Sequence, residues 1–456
     1  MLIMSKSESQ EVVDRLRVQL VNGEGKKVYD SADKIPDIGF PKEPLKFCPN
    51  CIKPETIIPG DYQPMGQLTE RNMCIGTEQL QQVQETMYRR YSGNLVKIHA
   101  SGLLPIESTP EHPLLTCRSI TNKHRGVIVG FSNPAWLPAN QLTPKKTYHD
   151  GDYLMIPRVI GQFEDNSFSL LPFTNLHGLH IAAGRNCPTE YPLTVESAWL
   201  IGLYIAEGVS FPKGIRFILG KHETALQERV KHIIQNIGYH CSTQQKRTAI
   251  EIEVASRLLS RLFHSLCGKR AENKRIPEKI LFHKNKKLLQ ALLDGYISGD
   301  GCEDVHRIRT KTVSNILALQ LQLAYARLGK FATISCGKEG KHNIEGRIVS
   351  VKRNYELNIS KGNRPQARVF SNFVLTPVRS VSNKKYDGSV CNIRTPDNTY
   401  LVSNAIVHNC GGETQAIVYM CKCCGTRFLQ QEDRKTGRKL IITLPATEMP
   451  IDHSIV

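Results

Sequence analysis

Four cysteines stand in two pairs with the CxxC spacing that presents two thiolates to one tetrahedral Zn2+: Cys48 with Cys51 in FCPNC, and Cys421 with Cys424 in MCKCC. A zinc ribbon places its two pairs about 15 to 20 residues apart, and these two lie near opposite ends of a 456-residue chain. Deleting residues 51–409 would join Asn50 to Cys410, so that CPNC is followed after ten residues by CKCC. Cys48, Cys410, Cys421 and Cys424 would then form one compact four-cysteine Zn2+ site. The residues at the two edges have the chemistry for such a deletion. The Cys51 thiol can attack the carbonyl of Asn50 and give a thioester, Cys410 can accept the acyl group, and Asn409 can cyclise through its side-chain amide to release the segment. His408 directly precedes Asn409, in position to move the protons of that cyclisation. No cofactor is needed for these steps.

A second constellation lies midway along the chain. The segments LIGLYIAEG (200–208) and LDGYISGDG (293–301) repeat one pattern. Small residues fall four apart in each, Gly202 with Ala206 and Gly295 with Gly299, which places them on one helix face and lets two helices pack closely. Each segment ends in an acid followed by glycine, Glu207 with Gly208 and Asp300 with Gly301. The glycines are expected to leave their helices in the left-handed conformation. Two packed helices would deliver Glu207 and Asp300 side by side, a pair suited to holding Mg2+ against a scissile phosphate. Lys274, in KRIPEKI, stands before an Ile-Pro turn between the two segments, and Lys361 stands at a roughly symmetric place after the second.

The elements that must position these groups differ along the chain. Residues 314–329 alternate as LQLQL, which taken alone reads as a strand. Ser314 as N-cap, Gly329 as stop and apolar residues at 317, 321, 324, 325 and 328 predict a helix instead. The segments nearer the two deletion edges are short and broken by Gly, Pro and Asn, and read as β. Residues 151–194 hold several prolines and read as an irregular connection. Lys and Arg number 60 against 42 Asp and Glu, a formal net charge of +18, and residues 196–365 contribute +14 of it. The natural partner of such a surface is a polyanion, with nucleic acid the first candidate. No apolar run is long enough for a membrane span, and the N-terminus is too charged for a secretory signal. Six of the fourteen cysteines crowd into two patches towards the two ends of the chain, which fits reduced thiols in a cytoplasmic, intracellular protein better than a disulfide framework.

Several motifs in order resemble those of inteins. CIKPETIIPG at residue 51 is similar to the first splicing block, STPEHPLL carries the TxxH of the second in Thr109 and His112, and VCNIRTPDNTYLVSNAIVHNC resembles the last two. By that resemblance Thr109 and His112 polarise and strain the Asn50–Cys51 peptide. Asn392 stands where the family commonly has aspartate, and it can hydrogen-bond but not titrate. The repeated acid-tipped segments resemble the LAGLIDADG, or dodecapeptide, homing endonucleases that are often nested in inteins, with Glu207 where aspartate is commoner; KRIPEKI resembles the family's lysine-bearing block, which makes Lys274 a candidate for stabilising phosphate charge and Lys361 a second by rough symmetry.

The resemblance implies a multidomain chain: an all-β horseshoe-like splicing domain interrupted by an α+β endonuclease with an internal pseudo-two-fold, flanked by halves of a zinc-ribbon host. The expected boundaries are host 1–50, splicing domain 51–150 and 371–409, connection 151–194, endonuclease 195–370 and host 410–456. It implies a monomer that excises residues 51–409 and releases a site-specific endonuclease whose partner is double-stranded DNA. Two other readings fit the same residues: an intein whose endonuclease has decayed, and a zinc-ribbon DNA nuclease that stays joined.

Overall fold

The computed structural model describes residues 50–122, 124–146, 149–174, 189–337, 339–344, 347–361 and 367–409, together with the strands Ile38–Gly39, Thr414–Cys421, Arg427–Asp433 and Arg438–Leu444. The architecture is several β-sheets with helices concentrated between residues 195 and 327.

The largest sheet has ten strands, and its chain order is strongly non-local. Its main path runs Thr399–Val402, Ala405–His408, Pro113–Asn122, Asp152–Pro157, Phe373–Arg394, Glu85–Ala100 and Ile106–Ser108. Strands before residue 158 therefore interleave with strands after residue 367. The longest pairing joins Glu85–Ala100 to Phe373–Arg394 in antiparallel register from Arg394↔Glu85 to Val378↔Ala100. Residues 151–194 carry more order than their prolines suggest. Asp152–Pro157 is a fully buried strand inside this sheet, and Ser167–Ser169 pairs with Glu190–Pro192. Pro157 and Pro192 sit at strand ends, where no ladder hydrogen bond is lost, and Pro172 lies in the short 3-10 turn Leu171–Phe173.

The helices are α1 Val195–Glu207, α2 Thr224–Asn236, α3 Arg257–Cys267, the single turn α4 Glu278–Leu281, α5 Lys286–Asp300 and α6 Asn315–Arg327. Helix α1 starts at a capping box: the Thr194 side chain accepts from Ser197 N–H, and the Ser197 hydroxyl accepts from Thr194 N–H at 2.8 Å. Ser314 caps α6 by accepting from Leu317 N–H at 3.1 Å, and Gly329 follows at φ 79°. The LQLQL segment is thus helical. Its apolar residues do not follow one stripe because the helix is buried on all sides from Leu317 to Arg327.

Helices α1 and α5 each lead a unit of the same topology. After α1, the four strands of one sheet occur in the spatial order first, second, fourth, third; after α5 the order is the same. Each unit places a helix, α2 or α6, between its second and third strands. The second unit also carries the extra hairpin Gly340–Ile344 with Arg347–Val351 between its third and fourth strands. The internal repeat read from residues 200–208 and 293–301 extends to whole supersecondary units.

The units meet along α1 and α5. A Cβ added at Gly202 would lie 1.9 Å from the Leu292 carbonyl oxygen, and one at Gly295 would lie 2.0 Å from that of Trp199. Small residues here are a steric requirement. One apolar core joins α1, α5 and α6 to Ile75, Leu80, Leu401 and Ile406 of the β part.

Candidate functional site

Paired acids end the two central helices. Gly208 and Gly301 do not leave their helices left-handed: their φ, ψ values are −93°, 146° and −90°, 143°. Each helix runs straight into a strand, Gly208–Phe211 or Gly301–Glu303. Glycine is needed there for space, because a Cβ would approach a Tyr204 ring carbon at 2.1 Å or the Ile297 oxygen at 2.4 Å. Glu207 and Asp300 line one cavity of about 460 Å3, with Lys274, Lys269, Lys311 and Asn354 also on its wall. Burial raises the pKa of Glu207 first, and the charge of Asp300 raises it further. Burial also raises Asp300, against the pull of Lys274. Two partly desolvated carboxylates that repel each other favour a cation between them, so the donor set fits a divalent metal. Among the described residues no group of three or more acids, histidines or cysteines is gathered for a metal.

Lys274 is buried, and its ammonium donates to the carbonyl oxygens of Tyr204 and Gly208 at 2.7 Å each while lying 4.1 Å from the Tyr204 ring centre. Its first task is therefore to cap the carboxyl end of α1. Burial brings its pKa down to about 8, opposed by Cys267, Asp300 and Glu207. Lys361 is not at this cavity; it donates to the Asp304 carbonyl oxygen at 2.8 Å and pairs with Glu303.

A second cluster surrounds the Asn50–Cys51 peptide. Cys51 N–H donates to Thr109 Oγ1 at 2.9 Å, and Thr109 N–H donates to the Cys51 carbonyl at 2.9 Å. The Asn50 carbonyl accepts from Asn392 Nδ2. Ile52 and Cys391 exchange two backbone hydrogen bonds of 2.9 Å, which fix the strand of Asn392 beside the peptide. Burial pushes the Cys51 thiol up, while the adjacent Arg89 guanidinium pulls it down through its charge and a hydrogen bond. His112 is fully buried; burial lowers its pKa to about 3, the neighbouring Asn50 backbone favours the charged form, and the charge of His408 disfavours it. His112 is thus a neutral imidazole.

The residues before position 410 join the same cluster. Val407 pairs with Leu114, two residues beyond His112, and Thr399 pairs with His408. Asn409 is buried; its Nδ2 donates to Thr395 Oγ1 at 3.1 Å, and His408 Nδ1 lies 2.6 Å from its carbonyl oxygen. The Thr395 hydroxyl donates to the Thr399 carbonyl at 2.9 Å, so it meets Asn409 as an acceptor. Trp136 packs edge-on to the His408 ring with centres 4.9 Å apart.

Cys51, Thr109, His112, His408 and Asn409 therefore come together, as do Glu207, Asp300 and Lys274 at the cavity. Cys48, Cys410 and Cys424 lie outside the described residues, and Cys421 ends a strand whose backbone pairs Ile38 with Cys421 and Gly39 with Met420. Arg89, Thr395 and Tyr400 were missed. Thr395 and Tyr400 stand inside VCNIRTPDNTYLVSNAIVHNC, the segment that resembles the last two splicing blocks, and could have been found there, whereas Arg89 lies in a stretch with no motif.

Comparisons with known proteins bear on the paired-acid region first. Residues 287–363 match the LAGLIDADG-like domain. This LAGLIDADG-like stretch begins in α5 and contains Asp300. The chain is 30% identical over 408 residues to the ATP-dependent DNA helicase Hel308 of Thermococcus kodakarensis, covering 79% of this chain and 36% of that protein. It is 25% identical over 325 residues to an iron-sulfur cluster assembly SufBD family protein of Mycobacterium tuberculosis, covering 66% of this chain and 35% of that protein. The chain thus matches about a third of each relative's length. Among solved structures, I-DmoI in complex with DNA and Mn aligns with a TM-score of 0.27 and 20% identity, covering 36% of this chain and 89% of that one.

Proposed function

We propose that residues 51–409 excise themselves, joining residues 1–50 to 410–456, and that the released segment is a metal-dependent endonuclease of double-stranded DNA. The observation that carries the first half is the meeting of two distant peptides in one buried polar cluster: Asn50–Cys51 and the residues up to Asn409 both adjoin His112. The pairing of Ile38 with Cys421 is consistent with two host halves that already associate. Relatives with different names each match this chain over about a third of their own length, which supports a segment shared among otherwise different proteins.

In this reading the Cys51 thiol displaces its own nitrogen from the Asn50 carbonyl, the Cys410 thiol takes the acyl group and frees Cys51, Asn409 Nδ2 attacks its own carbonyl carbon and breaks the bond to Cys410, and the freed Cys410 amine displaces its sulfur to leave a peptide bond. The His408 imidazole donates to the oxygen of that carbonyl, and Thr395 holds the attacking amide. For the nuclease, the observation is the pair Glu207 and Asp300 in a lysine-lined cavity within a basic region. These two carboxylates would hold Mg2+, which supplies Lewis-acid polarisation and an acidified water. Lys274 fixes the end of the helix that carries Glu207. The four-cysteine Zn2+ site of the joined host belongs to the same proposal.

The test is the intact mass of the protein made in a reducing cytoplasm. Products of 359 and 97 residues from the natural chain, with an intact Cys51→Ala, Asn409→Ala double variant, are expected. A stable 456-residue natural chain, unchanged by chelator, would overturn the splicing half. The 359-residue product should linearise a plasmid bearing its target in Mg2+ and not in EDTA.

A further inference from the structure

The proposed excision begins with a thiol adding to the Asn50 carbonyl, and that oxygen must take up negative charge as the C–S bond forms. We propose that Asn392 is the oxyanion donor of this step and that Tyr400 positions it. The inference rests on the splicing reading and concerns the first junction only.

The orientation of the Asn392 amide is settled by its neighbours. Its Oδ1 accepts from Ile393 N–H at 2.9 Å and from the Tyr400 hydroxyl at 2.8 Å. A backbone N–H can only donate, so the atom facing it is oxygen, and Nδ2 is left toward the Asn50 carbonyl, to which it donates. Asn392 and Tyr400 are both fully buried. The donor is therefore fixed and dry before any charge develops, the condition under which such a donor is worth most. Across the same peptide, Cys51 N–H donates to Thr109 Oγ1. The peptide is held by its oxygen on one side and its nitrogen on the other.

The step balances without a co-reactant. Sulfur forms the bond to the Asn50 carbon, the oxygen charge rests against Asn392 Nδ2, and the carbon–nitrogen bond to Cys51 breaks. The thiol proton ends on the departing nitrogen, leaving a thioester and a free amine.

A carboxylate at this position would turn an acceptor toward the carbonyl oxygen and could help only when protonated. Asn392→Asp should therefore cleave more slowly as pH rises, whereas a thiol nucleophile alone gives a rate that rises with pH. The experiment uses the full chain with Asn409→Ala, and follows release of residues 1–50 by dithiothreitol from pH 5.5 to 9. Asn392→Ala should slow that release roughly 100- to 1000-fold, Tyr400→Phe less, and Asn392→Asp should show the inverted pH profile. Cleavage after Asn409 in a Cys51→Ala background, unchanged within about threefold by Asn392→Ala, confirms that the variant folds. Equal release from Asn392→Ala and its parent, or a profile for Asn392→Asp that rises with pH like the parent's, would overturn the proposal and leave splicing standing. A parent that releases nothing would overturn both.

Discussion

His112 carries a signature that can be read without any splicing assay. Its pKa falls from 6.5 to about 3 because it is buried, so between these values the unfolded chain binds a proton there that the folded chain does not. Stability then rises with pH across that window. The folded state should weaken as pH is lowered from about 6.5 toward 3, and His112→Gln should flatten the slope in urea melts at pH 7, 5.5 and 4.5. An unchanged slope would mean that His112 is not neutral in the fold. Thr395 makes a kinetic prediction at the same scale. Thr395→Val removes the acceptor that holds Asn409 Nδ2, and loss of one such hydrogen bond, about 1 kcal/mol, should slow cleavage after Asn409 by roughly fivefold. Thioester formation at Cys51, read by thiol release, should not change.

Among the elements, the α1 and α5 pair is the most exacting. Gly295 faces backbone, not a side chain that could swing aside. Gly295→Val should force the helices apart at a cost of about 3 kcal/mol or more, visible as a lower midpoint in guanidinium, and should abolish DNA cleavage by separating Glu207 from Asp300. Glu207→Gln should abolish cleavage with no such loss of stability. This seam was legible in the sequence, since small residues four apart state the packing and the terminal acids mark where the two helices bring Glu207 and Asp300 to one cavity. The helical reading of residues 314–329 was legible too, from Ser314 and Gly329. The backbone leaving α1 and α5 was not, because glycine serves equally for a left-handed turn and for lack of room, and only the position of Tyr204 and Ile297 decides. The support of the first junction was also hidden. Residue types and ordered motifs bring Cys51, Thr109 and Asn409 to notice, but Arg89 reaches Cys51, and Asn392 the Asn50 carbonyl, through pairing of strands nearly 300 residues apart in the chain.

At the scale of the whole molecule, the helical and β parts share elements. Gln322 in α6 donates to Gly102 at 2.7 Å, and Asn404, in the turn before the Ala405–His408 strand, donates to the Leu319 carbonyl at 2.9 Å and to Gln322 Oε1 at 3.0 Å. Arg327, buried at the end of α6, donates to carbonyl oxygens of Val159, Leu281 and His283. Arg327→Met would leave these acceptors buried and unpaired, and a loss of roughly 2 to 4 kcal/mol is expected. Removing residues 195–361 as a block should likewise slow cleavage after Asn409, measured against the full chain. Cleavage at the full rate after that deletion would show that α6 does not support the turn at Asn404.

The pairing of Glu85–Ala100 with Phe373–Arg394 also sets an order in time. In the proposed excision the nucleophile Cys51 and its partners Thr109 and His112 emerge early from the ribosome, while Asn392 is made some 280 residues after His112. At about 5 to 20 residues per second, the first junction waits roughly 15 to 60 seconds for the strand that aligns and polarises it. If the first junction reacts as proposed, premature thioester hydrolysis would cast off everything ahead of Cys51, and this topology would withhold the reaction until the second nucleophile is nearly synthesised.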